Sequence, residues 1–173
     1  MIVLGILAFA LMLLGDINDA RFGKKPLKLC FPLGVILLAV ATYLGCDFER
    51  ISVIWCVAAG AFLLLLLYSL FGSFSVKDAY VEQSGGRRVC DRGLYAMCRH
   101  PGVLFFAGLY ICLCFAVRFP AAHTLTYITL DLLLAVLEDI AIFPKVLGGY
   151  DEYKTGVPFI IPTTESLRNT FRR

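Results

Sequence analysis

The chain has 173 residues, of which 60% are hydrophobic and only 17% are charged, and its formal net charge is +3. A soluble domain is about 45–50% apolar, so this composition excludes an ordinary water-soluble protein and predicts a surface that faces lipid. The basic residues border the apolar runs without forming a stripe, which argues against a nucleic-acid partner and favours anionic lipid headgroups.

Five apolar stretches follow one another along the chain, each long enough or nearly long enough to cross a membrane as a helix. We predict these spans at about Met1–Leu14, Leu29–Leu44, Ile51–Val76, Pro101–Val117 and Ala121–Phe143. Because lipid cannot satisfy backbone polar groups, each spanning piece must be helical. The predicted fold is therefore all-α: a polytopic membrane protein with a bundle of about five transmembrane helices. It forms one domain, residues 1–173, with a cytosolic C-terminal cap.

The Lys and Arg residues are distributed asymmetrically between the gaps that separate these spans. The second and fourth gaps hold only Arg50 and Arg118, whereas the other fourteen of the 16 basic residues lie in the first gap, the third gap and the C-terminal tail. Short loops rich in Lys and Arg stay in the cytoplasm. This pattern predicts that the N-terminus faces outwards and that the tail faces the cytosol.

The seven cysteines are odd in number and contain no Cys-x-x-Cys pair, and the chain has only two histidines, His100 and His123. We therefore expect the cysteines to be mostly small buried hydrophobes without disulfides. A metal site is not expected, since no dense cluster of Cys and His is present.

Three acidic residues, Asp131, Glu138 and Asp139, lie inside the fifth apolar stretch. Ionisable groups in a spanning helix are costly and mark functional sites by default. Asp131 and Glu138 are seven residues apart and share a helical face, whereas Asp139 points about 100° away. Two simpler interpretations stay open. Glu138 and Asp139 could mark the water boundary, and Asp131 could make a structural hydrogen bond, for example to His123.

The run Cys98-Arg99-His100-Pro101-Gly102 begins the fourth span. Pro101 suits the first turn of a helix, where its missing N–H has no cost. Free N–H groups at a helix start favour an anion, to which Arg99 adds a fixed charge and His100 a titratable ring. The alternative is a basic anchor followed by an ordinary helix start.

This run belongs to a longer pattern. Residues 93–104 read Gly-Leu-Tyr-Ala-Met-Cys-Arg-His-Pro-Gly-Val-Leu. Further on come Glu138-Asp139, then Gly148, Tyr150, Tyr153 and the run Val-Pro-Phe-Ile-Ile-Pro at 157–162. Together they resemble the membrane methyltransferases of the isoprenylcysteine carboxyl methyltransferase and phospholipid N-methyltransferase type. That family has Gly-Pro-Tyr-x-x-x-Arg-His-Pro-x-Tyr-x-Gly, a Glu-Glu pair and a Phe-Gly-x-x-Tyr-x-x-Tyr-x-x-x-Val-Pro-x-x-x-Pro tail. The resemblance covers residues 89–162.

The chain departs from the family pattern at several positions. Leu94 replaces Pro, Val103 replaces Tyr, Phe105 replaces Gly and Asp139 replaces the second Glu, and Val-Leu at 146–147 replaces Phe-Gly. The changes at 103 and 105 bear on the shape of the cofactor pocket. They motivate an alternative interpretation, a catalytically inactive membrane scaffold of the same fold.

The resemblance implies that S-adenosylmethionine is the cofactor and that its methyl group passes to a membrane-soluble acceptor at the cytosolic face. Candidate acceptors are an isoprenylcysteine carboxylate, a phospholipid amine and a small apolar thiol or amine. The implied catalytic residues are Arg99, His100 and Glu138, and an amine acceptor would use His100, Glu138 or Asp131 as its base. The implied cofactor-binding residues are Tyr95, His100, Pro101, Gly102, Leu104, Glu138, Asp139, Tyr150 and Tyr153.

A second enzyme class stays open. Membrane sterol reductases that use NADPH have a similar Arg-His-Pro motif and a similar ending, although they are far longer than this chain. The oligomeric state is not predicted by the sequence.

Overall fold

The computed structural model describes residues 1–72 and 87–170. The predicted end of the third span near Val76 lies outside these residues, as do Lys77, Arg172 and Arg173. The described part of the chain is mostly helical.

The helices follow the predicted apolar stretches and then continue as short segments. In chain order they are α1 (Ile2–Ile17), α2 (Cys30–Gly45), α3 (Val53–Leu67), α4 (Leu94–Met97), α5 (Pro101–Ala116), α6 (Ala121–Leu137), α7 (Phe143–Val146), α8 (Tyr150–Gly156) and α9 (Thr164–Thr170). Single π-helical turns extend α1, α3 and α6 over Asn18–Phe22, Tyr68–Gly72 and Glu138–Ile142, and a 3₁₀ turn, Lys25–Leu29, leads into α2. Two-residue strands, β1 (Arg87–Arg88) and β2 (Leu147–Gly148), pair in parallel.

Within the described residues, three helices are long and apolar enough to cross a membrane once their flanking turns are included. They are Ile2–Phe22, Lys25–Gly45 and Val53–Leu70. The helix Pro101–Ala116 is apolar but shorter. A helical membrane protein is thus indicated, whereas a bundle of about five spans is not confirmed.

The first helix is longer than its apolar run, so the predicted end of the first span at Leu14 is wrong. The helix continues through Asp16 and the π-helical turn, and it ends at Gly23 with a left-handed φ of 61°. Glycine adopts this conformation without strain and commonly ends helices. The polar residues after Leu14 therefore project from a helix instead of a loop.

The long helices pack as α1 with α2, α3 with α5, and α6 with both α1 and α5. A Cβ at Gly34 would lie 2.6 Å from the backbone oxygen of Ala8, so only glycine permits this approach of α1 and α2. The core between α1, α5 and α6 is aromatic. Tyr110 packs edge-on against Tyr127, with ring centroids 5.5 Å apart, and Phe9 and Phe106 complete the cluster.

The C-terminal segment packs against the start of α5, and we call this side of the bundle the capped end. α9 contacts α4, and Val89 donates a backbone hydrogen bond to Gly148 beside the β1–β2 pair. The C-terminal segment thus contacts the start of α5, whereas a cytosolic cap on a membrane bundle stays a prediction.

Candidate functional site at the capped end

Two backbone hydrogen bonds attach the Arg-His pair to the C-terminal segment. The N–H of Arg99 donates to Pro158 O over 2.9 Å, and the N–H of His100 donates to Phe159 O over 3.1 Å. A third N–H, that of Val103, donates to His100 O. These three donors are occupied and are therefore not available to bind an anion.

The imidazole of His100 lies between the carboxyl groups of Glu138 and Asp139. His100 Nδ1 is 3.7 Å from Glu138 Oε2, and His100 Nε2 is 3.6 Å from Asp139 Oδ1. Both distances exceed a hydrogen bond. The side chain is only 6% exposed, and its ring stacks on Phe143 with centroids 5.6 Å apart and meets Phe159 edge-on.

Burial of the imidazole lowers the pKa of His100 to about 4. The Asp139 carboxylate raises the pKa and the Arg99 guanidinium lowers it, but burial is the largest effect. His100 is therefore uncharged at neutral pH. A neutral ring offers one N–H donor and one acceptor nitrogen, so it can donate to only one of the two carboxyl groups at a time.

Asp139 is the centre of an ion-pair network on one side of this ring. Lys154 Nζ lies 2.8 Å from Asp139 Oδ2, Arg99 Nε lies 3.1 Å from Asp139 Oδ1, and the Tyr150 hydroxyl donates to Oδ1 over 2.7 Å. Arg99 Nη1 also donates to Lys154 O over 3.2 Å. Two cations thus converge on one carboxylate, which leaves a local excess of positive charge.

The two other tyrosines of the pattern connect the capped end to the bundle. The Tyr153 hydroxyl donates to Tyr95 O over 2.6 Å, and the Tyr95 hydroxyl donates to Ser69 O over 3.1 Å. Burial raises the pKa of Tyr95 to about 12 and that of Cys98 to about 11, and it also raises the pKa values of Tyr150 and Tyr153. None of these groups is a base at neutral pH.

Glu138 lies on the other side of the His100 ring from Asp139. The π-helical turn that carries Glu138 contacts α1, and the charges of Asp16 and Asp131 act on the Glu138 carboxyl group. In the described part of the chain, Asp16 Oδ2 and Asp131 Oδ2 are buried without a hydrogen-bond partner. His123 Nδ1 is also buried without one, so the suggested Asp131–His123 hydrogen bond is not observed.

Two cavities lie beside these groups. The first, which we call the anion cleft, has a volume of about 310 Å³ and is lined by Arg99, Val136, Asp139, Ile140, Lys154 and Phe159. The second, which we call the apolar groove, has a volume of about 240 Å³ and is lined by Leu13, Ile17, Ala20, Arg21, Leu137, Ala141 and Ile142. The anion cleft contains Asp139, whereas the groove lies beside the Asp16–Glu138 pair.

The structure brings Arg99, His100, Glu138, Asp139 and Tyr150 together, as the sequence pattern predicts. The other expected positions do not line either cavity. Pro101 is fully buried, and Leu104, Val103 and Phe105 are partly buried. A Cβ at Gly102 would contact Ser69 of the π-helical turn after α3.

Sequence reasoning missed two charged residues of the site, Asp16 and Lys154. Lys154 is four residues after Tyr150, and this spacing places both on one face of a helix. Asp16 lies beyond the predicted end of the first span at Leu14 and has no place in the predicted site. The available signal was a carboxylate two residues beyond an apolar run, with no glycine or proline between Asp16 and Gly23.

All seven cysteines are free thiols, with Cys98 and Cys112 buried. Among the described residues, no group of three or more His, Cys, Asp or Glu side chains is placed to hold a metal ion.

Comparison with known proteins gives no relative: no family model, curated protein or solved structure matches this chain. The functional assignment therefore depends on the residues of the site and their geometry.

Proposed function

We propose that this chain is an integral membrane methyltransferase, of the isoprenylcysteine carboxyl methyltransferase and phospholipid methyltransferase type. It transfers a methyl group from S-adenosylmethionine to a membrane-soluble acceptor. The observation that supports this most is the position of His100 between Glu138 and Asp139. The two sequence blocks that carry the resemblance, near residues 99 and 138, are almost 40 residues apart, yet they meet at one buried ring.

The anion cleft matches the charged groups of the proposed cofactor. S-adenosylmethionine carries a carboxylate, an ammonium and a sulfonium. Arg99 and Lys154 provide two cations for the carboxylate, and Arg99 is held in a fixed orientation by Asp139. Asp139 provides an anion for the ammonium, and the Phe159 ring, over which the Arg99 guanidinium lies at 5.6 Å from the centroid, gives the cleft an apolar wall. The charged and aromatic side chains of the cleft thus suit the charged groups of S-adenosylmethionine.

Bound S-adenosylmethionine would supply a methyl group that is activated by the positive sulfur. The protein then mainly has to hold donor and acceptor in line, since orientation dominates such a displacement. Arg99 and Lys154 would hold the carboxylate end. His100 and Glu138 lie between the anion cleft and the apolar groove, so we assign them to the acceptor side, where either could accept a proton.

The cofactor is polar and cytosolic, so this proposal requires the capped end to face the cytosol. The clustered Lys and Arg residues of the first gap, the third gap and the tail support that orientation. The N-terminus would face outwards, and the acceptor would reach the site from the membrane. An isoprenylcysteine carboxylate, a phospholipid amine and a small apolar thiol or amine all satisfy this requirement.

Binding of S-adenosylmethionine to the detergent-purified protein tests the proposal, with calorimetry as the measurement. Lys154→Met should weaken binding, because it removes one cation from the anion cleft at a side chain that is 37% exposed and not needed for packing. Lys145→Met is the matched control, since Lys145 is exposed and lies outside the cleft. Glu138→Gln should retain cofactor binding and lose turnover.

Absence of binding to a folded wild-type protein would contradict the proposal and would favour the inactive scaffold. Titration with NADPH in place of S-adenosylmethionine examines the sterol-reductase alternative, which predicts saturable NADPH binding. If Lys154→Met and Lys145→Met weaken the binding of S-adenosylmethionine equally, the anion cleft is not part of the cofactor site.

A further inference from the structure

The apolar groove has an apolar part and a cationic end. Leu13, Ile17 and Ala20 line it along α1 and the π-helical turn that follows, and Arg21 lines it at the end of that turn. Leu13 and Arg21 are eight residues apart, which is about 12 Å along a helix. The groove therefore runs from aliphatic side chains within α1 to a guanidinium at the end of the helix. An amphiphile with an apolar chain and an anionic headgroup has the same order of groups.

The opposite wall of the groove comes from the end of α6 and opens to the outside of the bundle. It is formed by Leu137, Ala141 and Ile142. Leu137 is 43% exposed and Ala141 is also exposed, whereas Ile142 is buried. The volume of about 240 Å³ lies below the range of about 300–1,000 Å³ that is usual for drug-sized ligands. A groove of this size, open on the outside, suits part of one acyl chain.

The charge of Arg21 is not compensated by the protein. Arg21 is exposed, and within residues 1–72 and 87–170 its guanidinium has no ion-pair or hydrogen-bond partner. Arg99 differs, because Asp139 engages its guanidinium. A guanidinium presents its N–H donors as a planar fork that matches the oxygen atoms of a phosphate. Arg21 is thus available to bind an anion at the end of the groove.

A second cation is held in a fixed position beside this end. Asn18 is fully buried, and its side chain donates to Lys24 O over 3.1 Å and accepts from the Lys24 N–H over 3.0 Å. The N–H of Gly23 donates to Asn18 O over 2.7 Å. Lys24 Nζ lies 5.9 Å from the centroid of the Phe22 ring. These contacts tie Lys24 to the helix end that carries Arg21.

The charge balance of this segment favours an anionic phospholipid over other amphiphiles. Residues 19–28 contain one acidic residue, Asp19, and four exposed basic residues, which are Arg21, Lys24, Lys25 and Lys28. Basic pockets between spanning helices and basic clusters beside a span bind anionic lipid headgroups. A choline headgroup would bring a cation that the segment repels, and a fatty acid would bring a single charge to four cations.

We propose that the apolar groove is a binding site for an anionic phospholipid. One acyl chain lies along Leu13 and Ile17, and Arg21 binds the phosphate with Lys24 beside it. This site is separate from the anion cleft, whose cations are Arg99 and Lys154. The bound lipid undergoes no reaction, so the inference goes beyond the proposed function and does not depend on it.

Photolabelling of the full chain in phosphatidylcholine nanodiscs tests the site. The probes are phosphatidylglycerol, phosphatidylcholine and a free fatty acid, each with a diazirine on its acyl chain and each added at the same low concentration. Peptide mapping measures labelling of the groove segments, residues 13–21 and 137–142, and residues 53–67 of α3 serve as the internal reference. We expect phosphatidylglycerol to label the groove segments at least about fivefold more than phosphatidylcholine, the factor that corresponds to about 1 kcal/mol for one basic residue near a membrane surface.

Two substitutions separate the headgroup from the chain. Arg21→Met should lower the preference for phosphatidylglycerol about fivefold, by the same conversion. Arg50→Met is its matched control, since Arg50 is exposed in the α2–α3 connection. Ala141→Leu should fill the groove and reduce its labelling without a change of charge. Ala61→Leu is the control for added volume, since Ala61 is exposed on α3 and lies outside the groove.

Equal labelling of the groove segments by phosphatidylglycerol and phosphatidylcholine would overturn the proposal, as would equally strong labelling by the fatty acid. An unchanged preference in Arg21→Met would also overturn it. Unchanged labelling in Ala141→Leu would show a diffuse attraction of anionic lipids to the basic segment in place of a groove site. If a variant does not fold, the comparison of the three probes on the wild-type protein still decides.

Calorimetry with S-adenosylmethionine on the same samples separates this inference from the proposed function. Cofactor binding without headgroup selectivity in the groove would refute the lipid site and leave the methyltransferase proposal standing. Headgroup selectivity without cofactor binding would refute the methyltransferase and retain the lipid site.

Discussion

The Tyr150 hydroxyl donates a 2.7 Å hydrogen bond to Asp139 Oδ1, and this bond joins the C-terminal segment to the carboxylate at the centre of the ion-pair network. Tyr150 is buried at the first position of α8, and its ring also meets Phe143 edge-on with centroids 5.4 Å apart. The position of the Asp139 carboxylate is therefore set by α8 as well as by its own π-helical turn. Any group held by Arg99 and Lys154 depends on that position.

Tyr150→Phe should remove this hydrogen bond and keep the ring contacts. We expect a loss of about 1–2 kcal/mol in the free energy of unfolding, since a buried carboxylate loses one donor while keeping two cations. Unfolding in detergent with increasing denaturing surfactant measures the change. Tyr43→Phe is the control, because Tyr43 is 67% exposed and should change stability little. Equal effects of the two substitutions would show that the Tyr150 hydroxyl contributes nothing.

Arg99 and Lys154 should contribute unequally to stability although both pair with Asp139. The side chain of Arg99 is 9% exposed and that of Lys154 is 37% exposed. A buried ion pair is costly to break on one side, about 3–5 kcal/mol, whereas exposed pairs contribute about 0–1 kcal/mol. We expect Arg99→Met to lower the free energy of unfolding by at least about 2 kcal/mol more than Lys154→Met. Similar values for the two variants would contradict this ranking.

The capped end should lose stability in mild acid because of His100. Its pKa is lowered from 6.5 to about 4 in the folded protein, so the unfolded chain binds the proton more readily. Stability from this residue is complete above about pH 6.5 and falls as the pH approaches 4. The full effect is on the order of 3 kcal/mol. Unfolding curves at pH 7 and pH 4.5 measure the loss, and His100→Gln should make the two curves more alike.

The helical composition could be predicted from the sequence because it follows from local patterns, whereas the approach of residues near 99 to residues near 138 was implied only by the family resemblance. Long apolar runs must become helices in lipid, and the Arg-His-Pro run contains its own helix start. The end of the first span could not be read from hydropathy. Asp16 is polar, yet it continues the helix because the next residue that favours a left-handed turn is Gly23.

The partners of the site residues were beyond sequence reasoning because they depend on tertiary packing. Nothing local indicates that the carbonyls of Pro158 and Phe159 would occupy the N–H groups of Arg99 and His100. Helical spacing did predict that Glu138 and Asp139 face different sides. Lys154, the cation beside Asp139, lies on α8, whereas Asp16, the carboxyl group near Glu138, lies on α1.

The proposed topology predicts opposite labelling of two exposed positions. In a background without the native cysteines, a cysteine at Glu49 should react with an impermeant maleimide from outside intact cells. A cysteine at Glu165 should react only after the membrane is opened. Both side chains are exposed, so accessibility reports the side of the membrane. Labelling of Glu165→Cys in intact cells would invert the orientation and place the site away from a cytosolic cofactor.

The close approach of α1 and α2 predicts that one glycine cannot be replaced although it lies in a helix. A Cβ at Gly34 would lie 2.6 Å from Ala8 O and 2.7 Å from Met12 Cγ, so Gly34→Ala must push the two helices apart. We expect a loss of about 1–3 kcal/mol in the free energy of unfolding. Gly60 of α3 is the matched control, since a Cβ there has no atom within 4 Å, and Gly60→Ala should be neutral or slightly stabilising.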